Sequence, residues 1–312
     1  MLYICIHRKC VHPNLTIFPK GYTMQNSIYQ DVTNSIIEQL EKGAIPWVKP
    51  WRADSSADKN FISQKPYQGV NRLILGMSSM MQGFTNPAWA SYKQWESLGA
   101  YVKKGEKGTR IVFYSPISKE NKQTGEKENY ACLKAYTVFN ASQIEGLEIT
   151  YVEPEKGEFT ANELAEQRIV KTGAMISHGS DAAFYMPSQD RIQLPHKSAF
   201  DNESSYYATA FHELTHWTGS ESRLDRNLKG RFGDPKYAFE ELVAEMGAAF
   251  LCADYGIQGE LRHAGYIQSW LKALKDDSKA IFKASALAQK AADYVNGLNV
   301  ESAEIVPLPL AA

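Results

Sequence analysis

The chain has 312 residues, 44% of them hydrophobic, and its 34 Lys and Arg nearly balance its 35 Asp and Glu. A formal net charge of −1 excludes a histone-like polycation, although it leaves room for a local basic groove. No apolar run approaches the ~20 residues that a membrane-spanning helix needs. The length predicts one large domain or two ordinary ones. The four cysteines form no C-x-x-C pair, so neither a zinc knuckle nor a redox motif is indicated, and a reducing cytoplasm fits.

Composition divides the chain into five segments. A short acidic stretch that contains a proline and a glycine is typical of a linker, and it separates two longer parts. We therefore expect an arm at residues 1–23, a first domain at 24–150, a linker at 151–159, a second domain at 160–298 and a loose tail at 299–312. Because Met24 looks like a natural start, the arm is either an extension from an upstream start or a disordered segment.

The first domain is predicted to be α+β. Apolar positions recur at helical spacing across residues 29–42, and further helices are expected near residues 70–75 and 89–95. Residues 111–114 and 131–139 are rich in strand-forming residues, and they predict two strands joined by a hairpin loop.

Aromatic and cationic side chains alternate at two places in this domain. Trp47 and Trp51 are flanked by prolines and cations, and a glycine-punctuated basic loop follows residue 99. Aromatic faces stack on bases at about 1–3 kcal/mol per base, and cations track phosphates. The alternative, that individual tryptophans form the domain core, stays open. The predicted contacts to single-stranded DNA are Trp47, Lys49, Trp51, Arg52, Tyr67, Asn71, Arg72, Lys103, Lys104, Lys107 and Arg110.

The second domain contains the motif His212-Glu213-Leu214-Thr215-His216 within an apolar frame. On a helix, residues four apart lie on the same face, so the two imidazoles can bind one Zn²⁺. Glu213 can then act as the general base toward a metal-bound water, as in metalloproteases. Three short strands precede this helix and a glutamate-rich helix follows it, which is the layout expected of a zincin.

A third metal ligand is expected from the glutamate-rich helix. Glu241 and Glu245 are four residues apart and share a face beside its apolar stripe. Glu241 is the first choice and Glu245 the second, either as a ligand or as the partner of a histidine Nδ1. Glu240 is expected to be solvated. Zn²⁺ is the expected metal, and Mn²⁺ or Co²⁺ would fit the same ligands.

The segment between the two helices is polar and cationic, so it is predicted to be a loop beside the cleft. Its arginines, Arg223 and Arg226, are candidates to hold a peptide or an acidic partner, and plain solvation is the alternative. Oxyanion or proton-shuttle roles are open to three further side chains, although a structural role is favoured for each: His178, Tyr185 and His263.

From residue 24 onward, the chain resembles the ArdC-type antirestriction proteins of conjugative plasmids. The resemblance rests on motifs in both halves, among them residues 45–47, 66–71, 92–95, 103–108 and 138–140, and then 206–209, 212–219 and 240–245. The first domain is also similar to that of TraC-type primases. Residues 1–23 depart from the family.

The resemblance implies a single-stranded-DNA-binding first domain and a metallopeptidase-like second domain of the SprT or IrrE type. It also implies that incoming plasmid DNA is shielded from host restriction. IrrE-like proteins carry their third ligand on the following helix, at a position that matches Glu241. The alternative is a non-catalytic, DNA-coating protein in which the metal domain is structural or docks a host protein. A primase accessory is a weaker alternative, because no carboxylate triad stands out.

Overall fold

The computed structural model describes the following parts of the chain: residues 24–42, 45, 58–120, 127–149, 160–179, 182–200, 202–226, 228, 234–257 and 267–297. Several predictions lie outside them, namely those for residues 1–23, 151–159 and 299–312 and for Trp47, Lys49, Trp51, Arg52 and His263. Within the described parts, no helix is both long and apolar enough to cross a membrane.

Within its described residues, the first half of the chain combines three α-helices with two sheets. The helices are α1 (Met24–Glu41), α2 (Val70–Gln82) and the short α3 (Tyr92–Glu96). The strands are β1 (Lys59–Asn60), β2 (Ala88–Ser91), β3 (Tyr101–Val102), β4 (Thr109–Glu120), β5 (Lys127–Asn140) and β6 (Ile144–Glu145). One sheet has the order β1-β2-β5-β4, and β3 pairs with β6 in the other.

The larger sheet is built around the long antiparallel pair of β4 and β5. The expected hairpin is present, and its strands extend further than the predicted ranges, since Glu120 still pairs with Lys127. The third predicted helix is shorter than expected, because β2 occupies its first residues. Ser91 then begins α3 with a capping box, in which its side chain accepts from the Gln94 backbone.

The second half contains a small sheet covered by helices. The strands β7 (Met175–His178), β8 (Phe184–Met186) and β9 (Arg191–Leu194) have the spatial order β7-β9-β8. The helices are α4 (Thr160–Thr172), α5 (Glu203–Thr218), α6 (Pro235–Asp254), α7 (Ile267–Asp276) and α8 (Ala280–Val295). The predicted α+β class is confirmed, with a small sheet and two long helices in the second half.

The two halves share one hydrophobic core. Ile36 of α1 and Leu73 of α2 belong to the same buried cluster as Phe250 of α6 and Trp270 of α7. The Thr33 hydroxyl donates to the backbone oxygen of Ser278 across 2.6 Å. Helices of the first half therefore pack directly on the helices that surround the glutamate-rich helix α6.

Candidate metal centre and nucleic-acid surface

Helix α5 places both histidines on one face. Asn202 begins the helix, because its side chain accepts from the backbone N–H of Ser205 at 2.8 Å, and Gly219 ends it. His212 and His216 are one turn apart, and their Nε2 atoms lie 3.2 Å from each other. His212 is buried, and the His216 side chain is 13% exposed. Both rings therefore direct a nitrogen to one point below the surface.

Helix α6 crosses α5 closely enough to bring a carboxylate to that point. Asp234 caps α6 and Pro235 occupies its first turn, where the missing N–H costs nothing. Further along, Gly247 faces Thr215 of α5, and a Cβ at position 247 would lie 2.5 Å from Thr215 Cγ2. A glycine is required there because any side chain would push the helices apart.

The close crossing makes Glu241 the third member of the cluster. Its Oε2 lies 3.5 Å from His212 Nε2, and its Oε1 lies 3.4 Å from His216 Nε2. One ligand atom from each of these residues lies within 4.8 Å of the other two. Two imidazole nitrogens and a carboxylate form the donor set of a three-ligand zinc site with an open position. The residues present therefore fit a divalent metal ion.

Without a metal, the same convergence makes a strongly coupled charge cluster. Burial alone would lower the pKa of His216, but hydrogen bonds to Glu240 and Glu241 outweigh it and raise the pKa to about 10. Burial acts to raise the pKa of Glu241, but the hydrogen bonds to His212 and His216 have the larger combined effect and hold this pKa well below its usual range. Carboxylate charge is thus concentrated where a cation would bind.

Two further glutamates flank the cluster. Glu213 is buried on α5, and its charge also favours the protonated form of His216. Glu245 is 1% exposed, and its Oε1 lies 3.8 Å from His212 Nδ1, the ring nitrogen that does not face His216. Glu245 therefore lies near the Nδ1 atom of His212, whereas Glu241 faces both Nε2 atoms.

The expectation that Glu240 is solvated was wrong. Glu240 is buried, its Oε1 lies 3.3 Å from His216 Nδ1, and it forms an ion pair with Arg226. The polar loop was likewise expected to stay out of the core, yet Arg226 is buried too. Each side chain is stabilised in the interior because the other supplies the opposite charge.

The other candidates of the second half that the structure describes have structural partners. The Arg223 guanidinium lies 3.9 Å from the centre of the Trp217 ring and forms an ion pair with Asp190. It therefore links α5 to the turn that precedes β9. The Tyr185 hydroxyl donates to Asp190 at 2.8 Å. His178 Nε2 lies 3.0 Å from the Tyr206 hydroxyl.

The basic loop, residues 103–110, exposes all of its predicted DNA contacts: Lys103, Lys104, Lys107 and Arg110. Its shape is fixed from below by the buried Gln143, whose amide donates to Glu106 Oε2 at 2.8 Å and to the Lys107 backbone oxygen at 3.0 Å. Gly108 lies against β5, where a Cβ would be 2.3 Å from Thr137 Cγ2. The loop therefore presents cations to solvent from a fixed backbone.

Three other predicted DNA contacts are placed differently. Arg72 is 5% exposed and its guanidinium binds α6, while the Asn71 amide donates to the Val112 backbone oxygen and accepts from its N–H. Tyr67 is half-buried against Trp89 and its neighbours. These three side chains contact other parts of the protein itself.

Two exposed tyrosines near the basic loop were missing from the predicted contacts. Tyr92 adjoins Lys93 on α3, and Tyr101 precedes Lys103 by two residues on β3. That alternation of ring and cation was the signal available in the sequence. By contrast, Trp95 is fully buried, and its indole N–H donates to the Phe139 backbone oxygen at 3.0 Å.

Comparisons with known proteins match both halves. Residues 163–287 match a family described as zincin-like metallopeptidase, and residues 26–139 match the N-terminal domain of the anti-restriction factor ArdC. The fold and the histidine–glutamate cluster define the second half as a zincin-like metallopeptidase domain.

Two solved structures extend the likeness over most of the chain. The metal-free crystal structure of antirestriction ArdC protein from plasmid R388 is 41% identical, with a TM-score of 0.74, and the match covers 86% of this chain and 96% of that one. The Mn(II)-bound structure is 40% identical, again with a TM-score of 0.74, over 88% of this chain and 98% of that one. The chain belongs to the ArdC family of antirestriction proteins.

Curated relatives include one protein of similar length and one much longer. Uncharacterized protein y4eC of Sinorhizobium fredii is 39% identical over 86% of this chain and 91% of its own length. DNA primase TraC of Escherichia coli is 40% identical over 87% of this chain, but the match spans 27% of TraC. The primase activity in that name therefore describes a protein of which this chain resembles about a quarter.

Proposed function

We propose that this protein binds single-stranded DNA and a divalent metal ion, and protects incoming plasmid DNA from host restriction. The convergence of His212, His216 and Glu241 carries the metal part of the proposal. Zn²⁺ is the expected ion, and the Mn(II)-bound structure of the R388 relative supports Mn²⁺ as an alternative, with Co²⁺ also compatible with these ligands. The cytoplasm of the cell that receives the plasmid is the proposed site of action.

For the metal centre, His212 and His216 would hold the ion through Nε2 and Glu241 through its carboxylate. A bound divalent ion supplies Lewis-acid chemistry that makes water a nucleophile near neutral pH. Glu213 is adjacent to the first histidine, and its carboxylate is the group that accepts the proton of the attacking water. A peptide bond, in the chain of a host restriction-related protein, is the substrate class that this arrangement fits.

The nucleic-acid part of the proposal is supported by the basic loop. Exposed Lys103, Lys104, Lys107 and Arg110 project from a backbone that Gln143 fixes, so phosphates can be bound without first ordering a flexible segment. Tyr92 and Tyr101 supply exposed rings nearby for bases to stack on. Stacking does not depend on base identity, which suits a protein that must coat any incoming strand.

The test is a conjugation assay into a recipient that restricts the plasmid, with full-length variants. Glu213→Gln removes the proposed base and leaves the three ligands intact, and Glu221→Gln, at an exposed position after α5, is the matched control. We expect the wild type and Glu221→Gln to protect the plasmid, and Glu213→Gln to keep its metal and lose peptide cleavage.

The transfer of a plasmid that carries Glu213→Gln distinguishes antirestriction by peptide cleavage from antirestriction by DNA coating. Loss of protection assigns antirestriction to metal-dependent chemistry, whereas full protection assigns it to DNA coating and overturns the peptidase role. Failure of the wild type to raise plasmid transfer would overturn the antirestriction proposal itself.

A further inference from the structure

A chain of buried polar contacts leads from the α5–α6 loop to the metal cluster. Arg226 donates from Nη2 to Glu240 Oε1 at 2.9 Å and from Nε to Glu240 Oε2 at 3.2 Å. Glu240 Oε1 in turn lies 3.3 Å from His216 Nδ1. All three side chains are largely buried, so these contacts are shielded from water and salt.

The contact to Glu240 determines how His216 faces the cluster. A carboxylate can only accept, so His216 donates from Nδ1 to Glu240. Nε2, which faces His212 and Glu241, is then the ring nitrogen that would bind a metal ion once its own proton is displaced. Glu240 also lies on α6, one residue before Glu241, so a single helix both supplies a ligand and orients another. Such outer partners of metal-binding histidines fix the tautomer and the ring plane.

Arg226 is in turn held by contacts that have no part in the metal cluster. Its Nη1 donates to the Thr218 hydroxyl at 2.8 Å, and its Nη2 also donates to the Thr215 backbone oxygen. Gly219 makes room for it, because a Cβ at position 219 would lie 2.9 Å from Arg226 Nη2. The guanidinium is thus clamped between the end of α5 and the start of α6.

We propose that Arg226 is a positioning residue for the metal ligand His216, acting through Glu240. The fork of the guanidinium holds both oxygens of Glu240, and this fixes the oxygen that receives the His216 N–H. The inference rests on the proposed metal site and extends it to a loop residue outside the H-E-x-x-H motif. It assigns to Arg226 a role in metal retention, where the sequence left open a contact to a peptide or acidic partner and plain solvation.

The test is a Co²⁺ titration of the metal-free full-length protein, followed by visible absorption, which reports the ligand geometry. Arg226→Met should raise the Kd for Co²⁺ about 10- to 100-fold, the usual cost of losing an outer partner, and alter the absorption bands. Arg226→Lys keeps a cation beside Glu240 and should recover part of the affinity. Glu240→Gln should weaken binding in the same direction.

Two controls separate positioning from a general loss of structure. Thr33→Val removes a buried hydroxyl contact, to the Ser278 backbone oxygen, that involves neither Arg226 nor Glu240. It should lower the melting temperature and leave the Kd and the absorption bands unchanged. In the double variant Arg226→Met with Glu240→Gln, the Kd should match that of Glu240→Gln alone, because Arg226 acts only through Glu240.

The outcomes are distinguishable. If the wild type takes up no Co²⁺, the proposed metal site itself fails. If the wild type binds Co²⁺ and the Arg226 variants bind it with an unchanged Kd and spectrum, the metal site stands and the positioning role of Arg226 is overturned. Should Arg226→Met fail to fold, Arg226→Lys and Glu240→Gln decide the question by the same readouts.

Discussion

Buried Arg72 of α2 forms an ion pair with Asp254, the last residue of α6, with 2.8 Å between Nη2 and Oδ1. The same guanidinium donates to the Phe250 backbone oxygen at 3.1 Å and lies 4.5 Å from the centre of the Phe250 ring. Asp254 also accepts from the Asn296 side chain at 2.9 Å. A residue of the first half is thus bound to the far end of the helix that carries Glu241.

Replacing Arg72 by methionine should destabilise the whole protein. The variant leaves the partly exposed Asp254 without its cation, and the free energy of unfolding should fall by less than the roughly 3 kcal/mol typical of a fully buried pair. Urea denaturation should show this loss, and single-stranded DNA affinity, measured well below the melting temperature, should be unchanged. Normal stability combined with weaker, less salt-dependent DNA binding would instead make Arg72 a phosphate contact.

Replacing Lys103 and Lys104 together by alanine should weaken single-stranded DNA binding. Each lost phosphate contact reduces the slope of log K against log salt by about 0.7. Fluorescence anisotropy with a fluorescent oligonucleotide at several salt concentrations measures the slope. Lys275→Ala with Lys283→Ala, on α7 and α8, is the matched control, because it removes the same charge from exposed positions. Equal effects of the two pairs would refute the basic loop as the binding surface.

The metal-free protein should lose stability as the pH rises from about 6.5 to about 10. The folded pKa of His216 is raised from 6.5 to about 10, so its contribution is complete below 6.5 and disappears as the pH passes through 10. The lowered pKa values of Glu240 and Glu241 act at the other end, and their contribution is lost as the pH falls below about 4.5.

Urea unfolding in a chelator across this pH range measures the effect, with His216→Asn as the reference that lacks it. Added Zn²⁺ should flatten the alkaline side, because metal binding displaces the proton from the imidazole. A wild type whose stability relative to His216→Asn increases between pH 6.5 and 10 would show that the sign is wrong.

Replacing Gly247 by alanine should separate α5 from α6. The new Cβ would overlap Thr215, and overpacking of this kind costs about 1–3 kcal/mol in the free energy of unfolding. Zn²⁺ affinity should fall as well, because Glu241 lies on the displaced helix. Chemical denaturation and a competitive metal titration measure the two effects.

Thr215→Ala supplies the rescue for that variant. It removes both side-chain atoms that would lie within 2.6 Å of the new Cβ, so Gly247→Ala with Thr215→Ala should recover metal affinity relative to Gly247→Ala. Thr215→Ala alone is the reference for the lost hydroxyl contact to the Phe211 backbone. An unchanged Zn²⁺ affinity in Gly247→Ala would disconnect the helix spacing from the metal centre.

Local periodicity was sufficient to predict that the two histidines lie together. The four-residue spacing of His212 and His216 places both on one face of any helix. The apolar stripe of α6 indicated a helix that packs in the core, but it did not mark an inward side, because α6 is buried on nearly every face from Glu240 to Ala253. The hairpin of β4 and β5 could be predicted in the same way, because strand-forming residues lie on both sides of a polar turn. These features depend on contacts between residues close in the chain.

The roles of neighbouring glutamates depended on how two helices pack. Glu240, Glu241 and Glu245 all lie on α6, and their sequence pattern alone does not show which of them meets His216. The answer depends on the rotation of α6 against α5 and on the close approach at Gly247. Periodicity could not predict the burial of Arg226 either, because its partner Glu240 lies on another element, the helix α6.

The proposed DNA surface shows most clearly the difference between what the sequence pattern predicts and what packing decides. Arginine and aromatic residues serve both nucleic-acid binding and core packing, so residue type alone does not distinguish Arg72 and Trp95, which are buried, from Lys104 and Tyr101, which are exposed. The spacing of residues along the chain was enough to locate the helices and the two histidines, because the hydrogen bonds of a helix join residues only four positions apart. Long-range packing decided which charges are buried, because the free-energy cost of burying a charge depends on partners far away in the chain.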